Sequence, residues 1–216
     1  MNTKTLIKEL TLKAGPVKRI VYRRICVEWI VVTLICFVAI ANLYGLRPDL
    51  SQQLSSPLFL GEMLINTMLI IVAGCAAIAF SYPDRAKAPL LKPALIVVFL
   101  GYSVITLITA FTEPALIHSH IEGVKHHEHG MACMLCIFSF AAIPALWMFY
   151  RLRQLASTKP MFAGAAALMM AVATGCLGVR LVEVEIMPTG LILWHYLPLL
   201  IISALGLVLG KKIFHW

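Results

Sequence analysis

Long apolar stretches separated by short polar segments dominate the chain. Six of them reach the roughly 17–25 residues that an α-helix needs to cross a bilayer. They are residues 27–46, 59–80, 92–112, 131–150, 161–179 and 190–210. The pattern therefore predicts an all-α, polytopic membrane protein with six transmembrane helices.

The same pattern leaves little of the chain outside the bundle. A polar tail at 1–26 precedes the bundle at 27–210, and residues 211–216 form a short C-terminal segment. The tail lacks the apolar core of a cleavable signal peptide. The segments between the predicted spans are too short for a soluble domain. We therefore expect one domain with a His-rich loop at 113–130.

Composition and charge support this interpretation. Hydrophobic residues make up 61% of the chain and charged residues 13%, against about 45–50% and about 25% in soluble domains. Fifteen of the 18 Lys and Arg residues lie in the tail, in the loops after spans 2 and 4, and at the C-terminus. The other side holds Arg47, Lys125 and Arg180. The positive-inside rule then predicts that both termini are cytoplasmic, and the net charge of +8 indicates topology rather than nucleic-acid binding.

Charged side chains are absent from the middle of every predicted span. Glu28 and Glu62 lie near span ends, and His195 is the single intramembrane histidine. Ion transporters usually carry a buried acid or lysine, and a transmembrane b-type haem needs two facing histidines. We therefore expect neither function and no organic cofactor.

The predicted outer loop concentrates metal-ligating side chains. Five of the chain's seven histidines lie in it: His118, His120, His126, His127 and His129. Cys133 and Cys136 follow at i and i+3 in the predicted first turn of span 4, where the helix dipole favours thiolate. Imidazole and thiolate suit zinc, copper and cadmium. The cluster is open to three interpretations: a metal or thiol-redox site, a weak non-selective histidine cluster, or a solvated linker.

Three further side chains are candidates for the same site. Cys176, His195 and Glu62 lie in the outer parts of their predicted spans. Whether they approach Cys133 and Cys136 depends on helix rotation, which the sequence does not define.

The N-terminal tail has an amphipathic segment. Leu6, Ile7 and Leu10 share one side of a predicted helix over 3–14, and Gly15-Pro16 ends it. One interpretation is an interfacial helix on anionic membrane lipid. The other is a docking helix for a cytoplasmic protein.

Several motifs resemble the NrsF-type membrane anti-sigma factors. They are the tail LIKEL…GPVKRI, GLRPDL at 45–50, SSPLFLGEML before and within span 2, SYPDR at 81–85, WHxxP from Trp194 to Pro198, and KKIFHW at the C-terminus. The resemblance runs over nearly the whole chain, in the same order.

This resemblance implies a six-span protein of the bacterial inner membrane. Such proteins hold an extracytoplasmic-function sigma factor through the short cytoplasmic N-terminus, and outward-facing cysteines take part in sensing metal or oxidative stress. It favours the docking interpretation of the tail. The implied contact residues are Leu6, Ile7, Leu10, Val17 and Ile20.

The chain also departs from the family pattern. Family members often carry a His-Cys-Pro-Glu-like string shortly before span 6, whereas residues 181–185 read LVEVE and lack a cysteine. The His-rich loop is an elaboration. Together these departures imply a changed set of sensor ligands, in which the loop histidines and the CxxC replace a wider cysteine pairing. Copper or zinc is the preferred signal.

The leading hypothesis is a stress-responsive anti-sigma factor without catalytic activity. One alternative is a membrane thiol-disulfide oxidoreductase that uses the CxxC of Cys133 and Cys136, weakened by the lack of a second outward CxxC pair. A second alternative is a metal-handling protein, weakened by the lack of polar residues at mid-membrane.

Overall fold

The computed structural model describes residues 3–13, 21–82, 90–112, 126–155, 157–183 and 191–214. These residues are 89% helical and include no strand. The helices are α1 (Thr3–Lys13), α2 (Tyr22–Tyr44), α3 (Leu50–Gln53), α4 (Pro57–Phe80), α5 (Leu91–Thr112), α6 (His126–Arg153), α7 (Pro160–Val182), a π-helical turn (Leu191–Tyr196) and α8 (Leu197–Ile213).

Six helical segments are long and apolar enough to cross a membrane, which confirms the predicted number of spans. They are α2, α4, α5, the Cys133–Arg153 part of α6, α7, and the π-helical turn continued by α8. Proline occupies the first helical position of α4 and α7, where its missing N–H costs nothing because that group has no intrahelical partner.

The bundle has two ends with different chemistry. We call the end that contains Gly45, Pro57, Cys133 and Val182 the cysteine end, and the opposite end the basic end. At the cysteine end, the backbone N–H of Arg47 donates to the carbonyl of Leu181 at 3.0 Å. At the basic end, Arg151 of α6 forms an ion pair with Glu28 of α2. Contacts between distant segments therefore hold both ends of the bundle.

Helix α7 is the centre of the bundle. Every residue from Met170 to Arg180 is buried, and α7 packs against α2, α4, α6 and α8. Its Gly164 lies against the backbones of Gly206 and Gly210 in α8. The small residues of α7 therefore allow close packing, which drives association where lipid removes the hydrophobic effect between helices.

Large apolar side chains cover the outside of the other spans. On α2, for example, Leu34, Ile35 and Val38 are all more than half exposed. Such a surface would be unfavourable in water but matches the lipid that surrounds a transmembrane helix.

Two helices extend further at the cysteine end than the sequence predicted. Helix α7 runs to Val182, three residues past the predicted end of span 5, so Arg180 lies in its last turn and pairs with Glu62 of α4 inside the bundle. Cys133 and Cys136 were placed in the first turn of a helix. However, α6 begins at His126, two turns earlier, beyond the reach of the dipole effect of the first turn.

Candidate functional site

Three potential ligand groups converge at the cysteine end of the bundle. The Sγ of Cys133 lies 3.2 Å from Oε2 of Glu183 and 3.2 Å from Nε2 of His195. All three ligand atoms lie within 4.8 Å of one another. Cys133 and His195 are buried, with His195 only 1% exposed, and Glu183 is half-buried. We call this the triad.

The hydrogen bonds of the triad assign opposite roles to the sulfur. A thiol has one proton, which it donates to the Glu183 carboxylate. The sulfur then accepts from His195, and this requires the tautomer that carries its proton on Nε2. The donor set is one thiol, one imidazole and one carboxylate.

Three separate segments bring these side chains together. Cys133 lies on α6, one turn before Ile137, whose carbonyl packs against Gly175 of α7 so closely that a Cβ at Gly175 would overlap it. Glu183 follows the last residue of α7. Its backbone is extended (φ −86°, ψ 131°), while its N–H still donates to the carbonyl of Val179 at 2.8 Å. The close approach of α6 and α7 therefore places the thiol beside the carboxylate.

His195 comes from an unusual segment. Residues Leu191–Tyr196 form a π-helical turn before α8, a conformation that is rare and is found frequently at functional sites. The backbone carbonyl of His195 accepts a hydrogen bond from the thiol of Cys176 of α7 at 3.7 Å. The phenol of Tyr196 donates to the hydroxyl of Ser103 at 2.9 Å. The turn is therefore anchored to α7 and α5.

A pocket of about 200 Å³ lies beside the triad. Cys133, Cys136 and Glu183 line it together with Tyr44, Phe140 and Val182. Cys136 therefore faces the same space as Cys133. Cys176 is fully buried and does not line the pocket; its sulfur contacts the backbone carbonyl of His195. A small ligand in the pocket would meet both Cys133 and Glu183.

A buried ion pair stands next to this site. Arg180 of α7 donates from Nε to Oε1 of Glu62 at 3.0 Å and from Nη2 to Oε2, so both carboxylate oxygens are engaged. Both side chains are at least 95% buried. Glu62, which was a candidate for the Cys133 site, is therefore paired with Arg180 instead.

An aromatic ring joins this pair to a second one. The guanidiniums of Arg180 and Arg47 lie 5.3 and 5.5 Å from the ring centroid of Phe59, which is within cation–π range. Arg47 also makes a bidentate pair with Asp49, both contacts at 2.7 Å. These hydrogen bonds hold the pKa of Asp49 at about 2, well below its usual range.

Most of the predicted site residues not yet discussed fall outside the part of the chain that the structure describes. His118, His120, Val17 and Ile20 lie outside the described residues, as do the side chains of His126, His127, His129, Leu6 and Leu10. Ile7 lies on α1 and is 56% exposed.

Sequence reasoning missed Glu183 and Arg180. The signal for Glu183 was present, because the segment 181–185 was recognised as the place where related chains carry a cysteine. Arg180 had no comparable signal, since its partner Glu62 lies 118 positions away.

Comparison with known proteins places the chain in a family. Residues 10–216 match NrsF, described as negative regulator of sigma F. No curated protein and no solved structure matches the chain. The match covers all six spans, including GLRPDL and SSPLFLGEML, which supply Arg47, Asp49, Phe59 and Glu62 to the cysteine end. The chain therefore belongs to the NrsF family, and it is a membrane-spanning negative regulator of a sigma factor.

Proposed function

We propose that this protein holds an extracytoplasmic-function sigma factor at the bacterial inner membrane and releases it when a metal or an oxidant acts at the cysteine end. The membership in a family of sigma-factor regulators carries this proposal. The tail binds the sigma factor on the cytoplasmic side, and the cysteine end lies on the periplasmic side. No step of this function requires catalysis.

The tail has the properties of a docking segment. Helix α1 makes no extensive contact with any span within the part of the chain that the structure describes. Ile7, on the apolar side of this helix, is 56% exposed. An amphipathic helix of this kind can place its apolar face in a groove of a partner protein. The partner would thereby lose the surface that it uses to bind core RNA polymerase.

The cysteine end has the properties of a sensor. Its reactive groups come from α6, α7 and the π-helical turn, so one binding or oxidation event there changes the contacts between three segments. Helix α7 is about 35 Å long at a rise of about 1.5 Å per residue. This length is enough to cross a bilayer, so α7 connects the cysteine end to the basic end. We assume two states of the bundle, one that holds the sigma factor and one that releases it. A signal that binds the releasing state tenfold more tightly than the holding state shifts the equilibrium between them by about 1.4 kcal/mol.

The first test removes the tail. A full-length chain and a variant lacking residues 1–24 are produced in membranes and used to capture a co-expressed extracytoplasmic-function sigma factor from the same bacterium. We expect capture by the full-length chain and loss of capture by the deletion variant. A matched control removes 211–216 at the other terminus and should capture normally. Equal capture by the tail-deleted variant would contradict the proposed mechanism.

The second test addresses the sensor. A Cys133→Ser/Cys136→Ser variant should bind the sigma factor normally but lose its signal-dependent release, measured with a reporter gene for the sigma factor. Cys26→Ser/Cys75→Ser, at the basic end and in the inner half of α4, is the matched control and should respond normally. If the first variant responded to metals and oxidants like the parent, sensing at the cysteine end would be disproved.

A further inference from the structure

We propose that Cys133, Glu183 and His195 form a mononuclear binding site for Zn²⁺. This inference rests on the proposed function, because it names the ligand that acts at the cysteine end. It also replaces the ligand set expected from the sequence, in which the loop histidines and the CxxC bind the metal.

The donor set matches the coordination chemistry of zinc. Zinc in proteins takes thiolate, imidazole and carboxylate ligands, usually four in tetrahedral geometry, and sites with three protein ligands leave one position open. Copper(I) prefers sulfur ligands, and calcium and magnesium prefer oxygen alone. A set with one sulfur, one nitrogen and one oxygen therefore favours Zn²⁺.

The distances between the ligand atoms support this assignment. Bonds of about 2.3 Å to sulfur and about 2.0 Å to nitrogen, at a tetrahedral angle, separate the two ligand atoms by about 3.5 Å. The Sγ of Cys133 and Nε2 of His195 are 3.2 Å apart, as are Sγ and Oε2 of Glu183. A lengthening of about 0.3 Å would bring these two distances to the tetrahedral separation, and the third pair of ligand atoms, Nε2 and Oε2, lies within 4.8 Å.

Charge balance also favours a divalent cation at this depth. On binding, Cys133 would lose its thiol proton, and Glu183 would supply a second negative charge while His195 stays neutral. Two anionic ligands neutralise Zn²⁺, so the occupied site has no net charge. This matters because an uncompensated charge in a buried, apolar environment is strongly unfavourable.

The pocket supplies both access and the fourth position. Cys133 and Glu183 line it, so an ion entering the pocket meets two of its three ligands first. Cys136 lines the same pocket, and a water molecule there can complete the tetrahedron while the site keeps zero net charge. The bound ion would connect α6, the end of α7 and the π-helical turn.

The test uses the purified full-length protein in detergent, with Co²⁺ as a spectroscopic substitute for Zn²⁺. We expect one equivalent of Co²⁺ to produce a thiolate-to-cobalt charge-transfer band and the visible bands of tetrahedral cobalt, all of which Zn²⁺ abolishes. Cys133→Ser should abolish the charge-transfer band. Glu183→Gln and His195→Gln should each weaken affinity at least about 10-fold.

Control variants test whether cysteines or histidines outside the triad bind the metal instead. Cys36→Ser changes a buried cysteine of α2 and should leave Co²⁺ binding unchanged. Replacing the five loop histidines by Asn should also leave the tetrahedral spectrum unchanged. If instead the loop variant lost the spectrum while Glu183→Gln and His195→Gln kept parental affinity, the proposed ligand set would be wrong.

A measurement on the unchanged chain avoids the risk that a variant fails to fold. The rate of alkylation of each cysteine is followed by mass spectrometry, with and without Zn²⁺. Zinc should slow the labelling of Cys133 about 10-fold or more and leave Cys26, at the basic end, unaffected. Equal labelling rates for Cys133 would overturn the inference.

The two proposals can fail separately. Zinc binding by a protein that does not capture the sigma factor would contradict the proposed function and leave the metal site standing. Capture and oxidant-driven release by a protein without tetrahedral Co²⁺ binding would disprove the metal site alone.

Discussion

Individual side chains at the cysteine end owe their properties to partners far away in the chain. Arg180 is a charge near the end of an apolar stretch, and Glu62 is another, 118 positions earlier. Each alone would be strongly unfavourable where it lies. Together they make a bidentate pair beside Phe59 and are almost completely buried. Neither residue is therefore a free charge, and the pair ties α4 to α7 next to Glu183.

Breaking this pair should destabilise the protein strongly. Glu62→Gln leaves the guanidinium of Arg180 without its counter-charge, and removing one partner of a buried pair typically costs about 3–5 kcal/mol. We expect a loss of that order in the free energy of unfolding, measured by denaturation in mixed micelles. Glu28→Gln is the matched control. Its pairs with Arg24 and Arg151 are partly exposed, so it should cost less than about 1 kcal/mol. Equal effects would show that burial does not strengthen the Glu62 pair.

At the scale of elements, glycine and alanine decide how the helices pack. Helix α7 has small residues on several faces, so α4, α6 and α8 approach it closely. The contacts of Gly164 with α8 and of Gly175 with α6 show this close approach directly. Which helices supply the partners was not predictable, because a small-residue face fits any backbone that approaches it. The position of Cys133 beside Glu183 follows from one such approach.

The contact between α7 and α8 should be sensitive to one added methyl group. A Cβ at Gly206 would lie 2.6 Å from the carbonyl oxygen of Gly164 and 2.7 Å from the Cα of Ala165. Backbone atoms cannot rotate away, so Gly206→Ala should destabilise the protein by about 1–3 kcal/mol. The same change at Gly101 meets only the flexible tip of Ile65, at 3.3 Å.

Thermal unfolding in detergent, followed by helical circular dichroism, measures both variants. We expect a clear decrease in melting temperature for Gly206→Ala and little change for Gly101→Ala. A melting temperature at the parental value for Gly206→Ala would show that α7 and α8 can separate without cost.

At the scale of the whole molecule, the two ends of the bundle carry different chemistry. The cysteine end holds the triad, its pocket and the buried ion pair. The described part of the basic end includes Arg151, Arg153, Lys211 and Lys212. The tail precedes α2 at this same end. A signal at the triad would therefore have to act across the bundle to reach the tail.

The charge distribution predicts which end faces the cytoplasm. Alkaline phosphatase, which is active only outside the cytoplasm, should be inactive when fused after Trp216 and active when fused within residues 113–125, between α5 and α6. A fusion in the loop 83–89 is the matched control and should be inactive, because that loop follows an even-numbered span. The reverse pattern of activities would show that the positive-inside rule fails here.

The sequence alone determined the number of spans, the all-α class and the membrane environment. These follow from the length and apolarity of local segments, since the bilayer imposes the same requirement on every span. It also determined the helix over Thr3–Lys13, whose apolar periodicity is local. The family resemblance, carried by short motifs such as GLRPDL, was likewise readable without a structure and is confirmed.

Which of the candidate ligands meet depends on the tertiary structure. Cys133 and Cys136 could be paired from their spacing, but Glu183 and His195 lie 50 and 62 positions beyond Cys133. Their meeting depends on the rotation of α6 and α7 and on the π-helical turn that presents His195. Rotation is set by the packing of small residues between helices, and no local pattern encodes it. The physical reason is that a span needs only apolar length to cross a bilayer, whereas a site needs the orientation of several spans at once.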